Sequence, residues 1–385
     1  MTNHASPADA AHSRPQAAPA RRAEPQLRVT AIELFFDLVF AFTLTQLTVV
    51  LTLGLTGVHV LAVLLIFGLL WWMYGGYAWL TNARAPVHAA EQLLLVLGMA
   101  GFLIVGLAIP SAFSRDGVAL GLGYLLVVLV HSGMYARVNQ HIWKIAPFNV
   151  GSALLVIVAG AVGGIADYLL FFLALAIQAI SPLIVKLGGR FDLRPAHFAE
   201  RHGALIIVAI GESIAAIGIG AAGLPVDVRL VLAATLGLAL SAVLWWAYFG
   251  NGDDEAGQHA MTSAPSGRRP GLALAAYFYA HMPMLLGVVF IAAGVRAAIG
   301  HGGSGGLPGA LALGLGAAAF VGGTAAFRAA LRSGPIGPRL GAAVFALLTV
   351  PLGTFTTIEA QLGLLTAGLI AVLAVERRAQ QPAEE

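Results

Sequence analysis

Hydrophobic and polar positions in this chain alternate on the scale of whole helices. Continuous runs of Leu, Ala, Val, Ile and Phe follow one another from residue 31 almost to the C-terminus, at roughly 31–53, 59–80, 91–110, 117–136, 147–164, 167–187, 203–222, 229–249, 277–297, 308–330, 338–355 and 358–376. A hydrocarbon core of roughly 30 Å is crossed by about twenty apolar residues in a helix, so the pattern predicts about twelve transmembrane helices. A membrane β-barrel would alternate residue by residue in segments of about ten, and these runs do not. The expected class is an all-α integral membrane protein with the lipid bilayer as its solvent.

Composition sharpens this. Of 385 residues, 59% are hydrophobic and 10% charged, against about a quarter charged in soluble proteins. Of the 21 Lys and Arg, only Arg115, Arg229 and Arg296 fall in segments on the side opposite the N-terminus; the same-side segments hold Arg28, Arg84, Arg137, Lys144, Lys186, Arg190, Arg201, Arg328 and Arg339 among others. By the positive-inside rule, both termini are expected in the cytoplasm. The pI of 9.4 is then a topology signal, and nucleic acid is not needed to explain it. The absence of cysteine excludes disulfides, thiol catalysis and thiolate metal sites. Residues 1–27, rich in Ala, Pro and Arg, read as a disordered cytoplasmic tail and not a signal peptide, and 379–385 as a second short tail.

The chain reads as written twice. Leu70-Trp71-Trp72-Met73-Tyr74 returns as Leu244-Trp245-Trp246-Ala247-Tyr248, and Ile145-Ala146-Pro147 as Ile336-Gly337-Pro338. Glu33 matches Glu200, and Asp167 matches Glu359. The expected domains are a first six-helix repeat over 28–190 and a second over 191–378, the latter lengthened by a cytoplasmic loop at 250–270. That loop, with Asp253, Asp254 and Glu255 followed by Arg268 and Arg269, reads as a solvated linker. Units with an even number of spans enter from the same side, so the repeats are expected to be parallel, related by an axis along the membrane normal. The first helix of each half is the expected centre.

Ionisable groups inside such segments are costly and mark polar centres. Glu33 and Asp37 lie one turn apart on one face of the first helix, with Thr48 near the same stripe and Thr45 to one side. Glu33 fits two readings, a polar centre or a helix cap paired with Arg28 or Arg201. Glu212, beside Ser213, falls about 18 Å along its helix from Glu200, near the bilayer midplane. It fits a group that exchanges protons or coordinates a cation where water reaches it, or a hydrogen-bonded lock between helices. Glu91 and His281 open the third helices of the two halves. Each could face the carboxylates of the first helices, and His281, followed by Met282-Pro283, could equally be a packed histidine at a kink. His197, Glu200 and His202 do not share one helix face, which argues against a metal site. Trp71, Trp72, Trp245 and Trp246 read as interfacial or packing aromatics. No cofactor is expected, and no phosphate loop or nucleophile motif is present, so an enzyme is not expected.

The segments Ile32-Glu33-Leu34-Phe35-Phe36-Asp37-Leu38-Val39-Phe40-Ala41-Phe42 and Phe198-Ala199-Glu200-Arg201-His202-Gly203 through Ile210-Gly211-Glu212-Ser213-Ile214 resemble the two signature segments of the bacterial low temperature requirement A (LtrA) family, over residues 28–378. The resemblance implies a multi-pass bacterial membrane protein, linked by name to growth in the cold, without an established biochemical activity. Phe36-Asp37-Leu38-Val39-Phe40-Ala41 is also similar to the Phe-Ser-Asp signature of a lysosomal and bacterial potassium channel family built of six-helix repeats. Here Phe36 replaces the serine and Gly203-Ala204 stands at the second signature, departures that argue against a potassium filter. The expected function is a proton- or cation-coupled carrier of a small solute in the cytoplasmic membrane, with Asp37 and Glu212 central and Glu33, Glu91, Glu200, Ser213 and His281 around them. A cation channel and a non-transporting sensor or scaffold are the alternatives, and association into a homo-oligomer is left open.

Overall fold

The computed structural model describes residues 29–185, 193–300 and 306–380. The tail over 1–27, Arg28, Lys186, Arg190 and the end of the second tail, 381–385, lie outside the described residues. In the first half the helices are α1 (Ala31–Thr52), α2 (Gly57–Ala83), α3 (Ala89–Ala108), α4 (Gly117–Tyr135), α5 (Ile142–Val162) and α6 (Ile165–Val185). The second half has α7 (Pro195–Ala221), α8 (Val228–Trp245), α9 (Asp253–Ser263), α10 (Arg269–Leu272), α11 (His281–Gly300), α12 (Gly306–Leu331), α13 (Gly337–Leu348), α14 (Val350–Phe355) and α15 (Ile358–Gln380). A π-helical turn, Trp246–Gly250, leads α8 towards α9, and another, Ala273–Tyr279, joins α10 to α11. Pro351, which has no amide hydrogen to donate, marks the break between α13 and α14. Joined in this way, the described residues form twelve helical stretches long and apolar enough to cross a membrane. The protein is an all-helical, multi-pass membrane protein.

The helices carry their polarity inward. On α1, Leu34, Phe35 and Leu38 are exposed, whereas Glu33, Phe36, Asp37 and Phe40 are buried. In water this would be inverted; in lipid the outward apolar face is solvated by acyl chains, and charged groups are kept inside against protein partners. Trp71 is fully buried, stacks on Phe67 and Tyr74 and donates its Nε1 proton to the Phe278 carbonyl at 3.1 Å. It is a packing residue, while Trp245 is exposed.

In the first half α1 packs on α2 and α3, α3 on α4, α4 on α5, α5 on α6, and α6 returns to α2. In the second, α7 packs on α8 and α11, α11 on α12, α12 on α13 and α14, these on α15, and α15 returns to α8. The halves meet where α1 touches α7 and α11, and where α2 touches α7. Small residues allow the tightest crossings. A Cβ on Gly160 of α5 would overlap the backbone of Gly117 and Val118 on α4, and one on Gly316 of α12 would lie 2.7 Å from the Gly287 carbonyl oxygen on α11.

The segment 250–270, expected as a solvated loop, is largely helical. Gly252 takes φ +74° at the start of α9, a conformation open to glycine at little cost. Asp253, Asp254 and Glu255 then occupy the first turn, where acidic groups favour the helix N-terminus. Asp253 is buried because two arginines reach it. The tail expected over 379–385 likewise begins as helix, since α15 runs to Gln380.

Candidate functional site

The interface between α1 and α7 is organised around one arginine. Arg201 is 1% exposed. Its Nη2 donates to Asp37 Oδ1 at 3.1 Å and its Nη1 to Glu33 Oε1 at 3.4 Å. Nη1 also donates to the Thr81 hydroxyl on α2. Tyr74 donates its phenol proton to Asp37 Oδ1 at 2.9 Å, and the guanidinium lies over the Phe36 and Tyr74 rings at 5.5 and 5.6 Å. The other Glu33 oxygen, Oε2, accepts from the Thr30 amide at 2.9 Å and the Thr30 hydroxyl at 2.8 Å. Glu33 is thus both a cap and a member of the charged centre, so its two sequence readings coincide.

His197 completes the cluster as a neutral donor. Asn82 accepts from the Arg194 amide with Oδ1, which leaves its NH2 to donate to the Arg194 carbonyl at 2.9 Å and to His197 Nδ1 at 3.2 Å. Nδ1 is then an acceptor, so Nε2 carries the proton and donates to Glu33 Oε2 at 3.2 Å. The remaining Asp37 oxygen, Oδ2, is buried without a partner among the described residues. One guanidinium therefore faces two buried carboxylates.

Glu212 stands apart, deeper along α7. Its Oε2 accepts from the Thr45 hydroxyl of α1 at 2.5 Å, while its Oε1 and the neighbouring Ser213 hydroxyl are buried with no hydrogen-bond partner among the described residues. Thr48, one turn further along α1, is spent on the carbonyls of Leu44 and Val289, at 3.1 and 3.5 Å. Beyond Glu212 a cavity of about 600 Å³ opens where α1, α7, α11 and α12 meet, at the end of the bundle away from Thr30. Ile219 of α7 lines it, about 10 Å along the helix from Glu212 at about 1.5 Å per residue.

The other sequence candidates lie elsewhere. Glu200 is exposed on α7 and accepts from the Val29 amide at 3.4 Å. Glu91 pairs with Arg84 at 2.6 Å. His281 does not face the carboxylates of α1 or α7. Its Nδ1 donates to the Ala276 carbonyl at 2.9 Å inside the π-helical turn, so its Nε2 accepts from Tyr248 at 3.1 Å. It stacks on Tyr277 and lies 5.4 Å from His202, ring to ring. No group of three or more His, Asp or Glu able to hold a metal occurs among the described residues.

Sequence reasoning missed a second buried charge cluster. Arg328 of α12 donates from Nε to Asp253 at 2.6 Å, and Arg339 of α13 donates from Nε to Glu376 of α15 at 2.9 Å. Arg339 also reaches Asp253 at 3.4 Å, and Arg328 reaches Glu376 at 3.4 Å. Two cations and two anions close a square, all four buried. Charge bias places Arg201, Arg328 and Arg339 in same-side segments, and of the three only Arg201 is also expected beside a carboxylate, Glu33. Their place within helices next to apolar runs was the signal that they serve the interior.

Fold and site together define a polytopic helical membrane protein whose halves are joined through a buried Arg–carboxylate centre, with a further carboxylate, Glu212, that forms no ion pair deeper in the same interface. The chain belongs to the bacterial low temperature requirement A protein (LtrA) family, whose model matches residues 28–375. It is 28% identical over 300 residues to an uncharacterised protein of Rhizobium meliloti (strain 1021), covering 72% of this chain and 71% of that one. No solved structure matches it.

Proposed function

We propose that this protein is a proton- or cation-coupled carrier of a small solute in the bacterial cytoplasmic membrane, with both termini in the cytoplasm and Glu212 as the coupling group. The observation that carries the reading is the state of Glu212. It has one oxygen bonded to Thr45 and the other unpaired beside an unpaired Ser213 hydroxyl, below a cavity between the halves. A carboxylate left half-satisfied at such depth is costly as a purely structural element. As a proton or cation site it has an acceptor free for its ligand.

The two halves are inferred to be parallel repeats able to rock about the α1–α7 contact. The recurring helix neighbours support this. So does the register, since Glu33 to Glu200 and Thr45 to Glu212 span the same 167 residues. Glu212 thus bonds to the position that corresponds to its own in the other half. Asp37, tied through one oxygen to Arg201 and Tyr74, belongs to the pivot that joins the halves, and Glu212, which has no ion pair, is assigned to coupling.

The test is ion flux into liposomes holding the purified protein, with and without a pH gradient, for wild type and Glu212→Gln. Saturable, gradient-dependent proton or cation movement that is lost in a normally folded Glu212→Gln variant is expected. Flux unchanged by the substitution, or absent from both proteins, would overturn the role of Glu212.

A further inference from the structure

The cavity beyond Glu212 holds a single charge among its described lining residues, and that charge acts on Glu212 through space. Among its described lining residues, Arg296 of α11 is the only one that is charged; the rest are aliphatic, glycine or proline apart from Thr52. Arg296 is half-buried. The buried arginines elsewhere in the interior are paired, Arg201 with Asp37 and Glu33, and Arg328 and Arg339 with Asp253 and Glu376. At the same end of the bundle Arg229 is matched by Glu359 at 2.6 Å. Arg296 makes no ion pair or hydrogen bond among the described residues; its attraction to Glu212 acts across the cavity without contact. Although α1, α7 and α11 all end at this cavity, it bonds to none of their carbonyls.

We infer that Arg296 and this cavity form a binding site for a small organic carboxylate. A guanidinium presents five N–H donors in a planar fork that matches a carboxylate two bonds at a time. The walls beside it, Leu53, Ile219, Ala293, Ala297 and Ala312, suit a short aliphatic body and offer nothing to a second charge. The volume of about 600 Å³ lies within the usual range for small-molecule sites, about 300–1,000 Å³. The inference rests on the transport reading above and deepens it: an anion bound at Arg296 and a proton taken up at Glu212 move together without net charge, which lowers the cost of crossing a low-dielectric interior.

Calorimetric titration of the purified full-length protein in neutral detergent tests it with butyrate as the probe, and with butyramide as the uncharged molecule of similar shape. Saturable binding of butyrate is expected, with butyramide weaker by about tenfold or more, the loss of a charge-assisted hydrogen-bond pair. Arg296→Gln should weaken butyrate by a similar factor, and Arg296→Lys should retain part of the affinity. Because the butyramide comparison uses wild-type protein, it stands even if Arg296→Gln folds poorly. Equal binding of butyramide and butyrate, no effect of Arg296→Gln, or no saturable butyrate binding would overturn the inference. Displacement of butyrate by added phosphatidylglycerol would assign the arginine to a lipid headgroup and overturn it as well. Arg296-dependent binding in a protein without Glu212-dependent flux would sink the transport reading and leave the carboxylate site standing. Glu212-dependent flux without such binding would do the reverse.

Discussion

Replacing Arg201 with methionine tests the central claim about the interface, that one guanidinium holds two buried carboxylates together across the halves. The substitution keeps the approximate length of the side chain and removes donors to Asp37 at 3.1 Å, to Glu33 at 3.4 Å and to Thr81. Glu33 keeps its bonds from Thr30 and His197, whereas Asp37 is left with Tyr74 alone. Removing one partner of a buried ion pair costs about 3–5 kcal/mol, because the uncompensated charge stays out of water. The variant should lose that much in equilibrium unfolding in mixed detergent micelles, followed by tryptophan fluorescence. Arg229→Met supplies the reference. Its pair with Glu359 has an arginine side chain 43% exposed, so about 0–1 kcal/mol is expected. Adding Asp37→Asn to Arg201→Met should restore roughly 1–3 kcal/mol, the scale of coupling between residues in contact. An Arg201→Met variant no less stable than Arg229→Met, or a double variant no better than the single, would refute the claim.

Two further outcomes follow from the packing. Gly160→Leu places a side chain where the backbone of Gly117 and Val118 already lies, so α4 and α5 must separate; a loss of at least about 1–3 kcal/mol is expected in the same unfolding assay, while Gly151→Leu, whose Cβ meets nothing within 4 Å, should be close to neutral. In the second charge cluster, Arg339→Met leaves Glu376 and Asp253 sharing Arg328 and should destabilise by about 3–5 kcal/mol, with partial recovery on adding Glu376→Gln. A neutral Arg339→Met would mean that water, and not the arginine, satisfies these carboxylates.

Twelve helices, their class and the lipid around them were legible in the sequence, because apolar length is a local property that the bilayer thickness turns directly into a span. That Glu33, Asp37 and Glu212 lie inside the protein was legible too, since a charge in such a run stands out whatever the fold. Apart from Arg201, one of two arginines expected beside Glu33, the partners of those charges were not. Arg201 is 164 residues from Asp37, Thr45 is 167 from Glu212, and Asp253 meets Arg328 and Arg339 from two other helices. Helix periodicity relates residues three or four apart and says nothing about which face of a distant helix comes to rest opposite. For the same reason His281 could be read equally as a partner for carboxylates or as a packed histidine, and packing holds it between Tyr248 and a π-helical turn. The 250–270 segment was misread as a linker because its polarity belongs equally to a loop and to a helix whose acids are met by buried arginines. The sequence by itself determined how many times this chain crosses the membrane and which charges it carries inside; only tertiary packing decided which of those charges neutralise one another, and so that Glu212 is left without an ion pair.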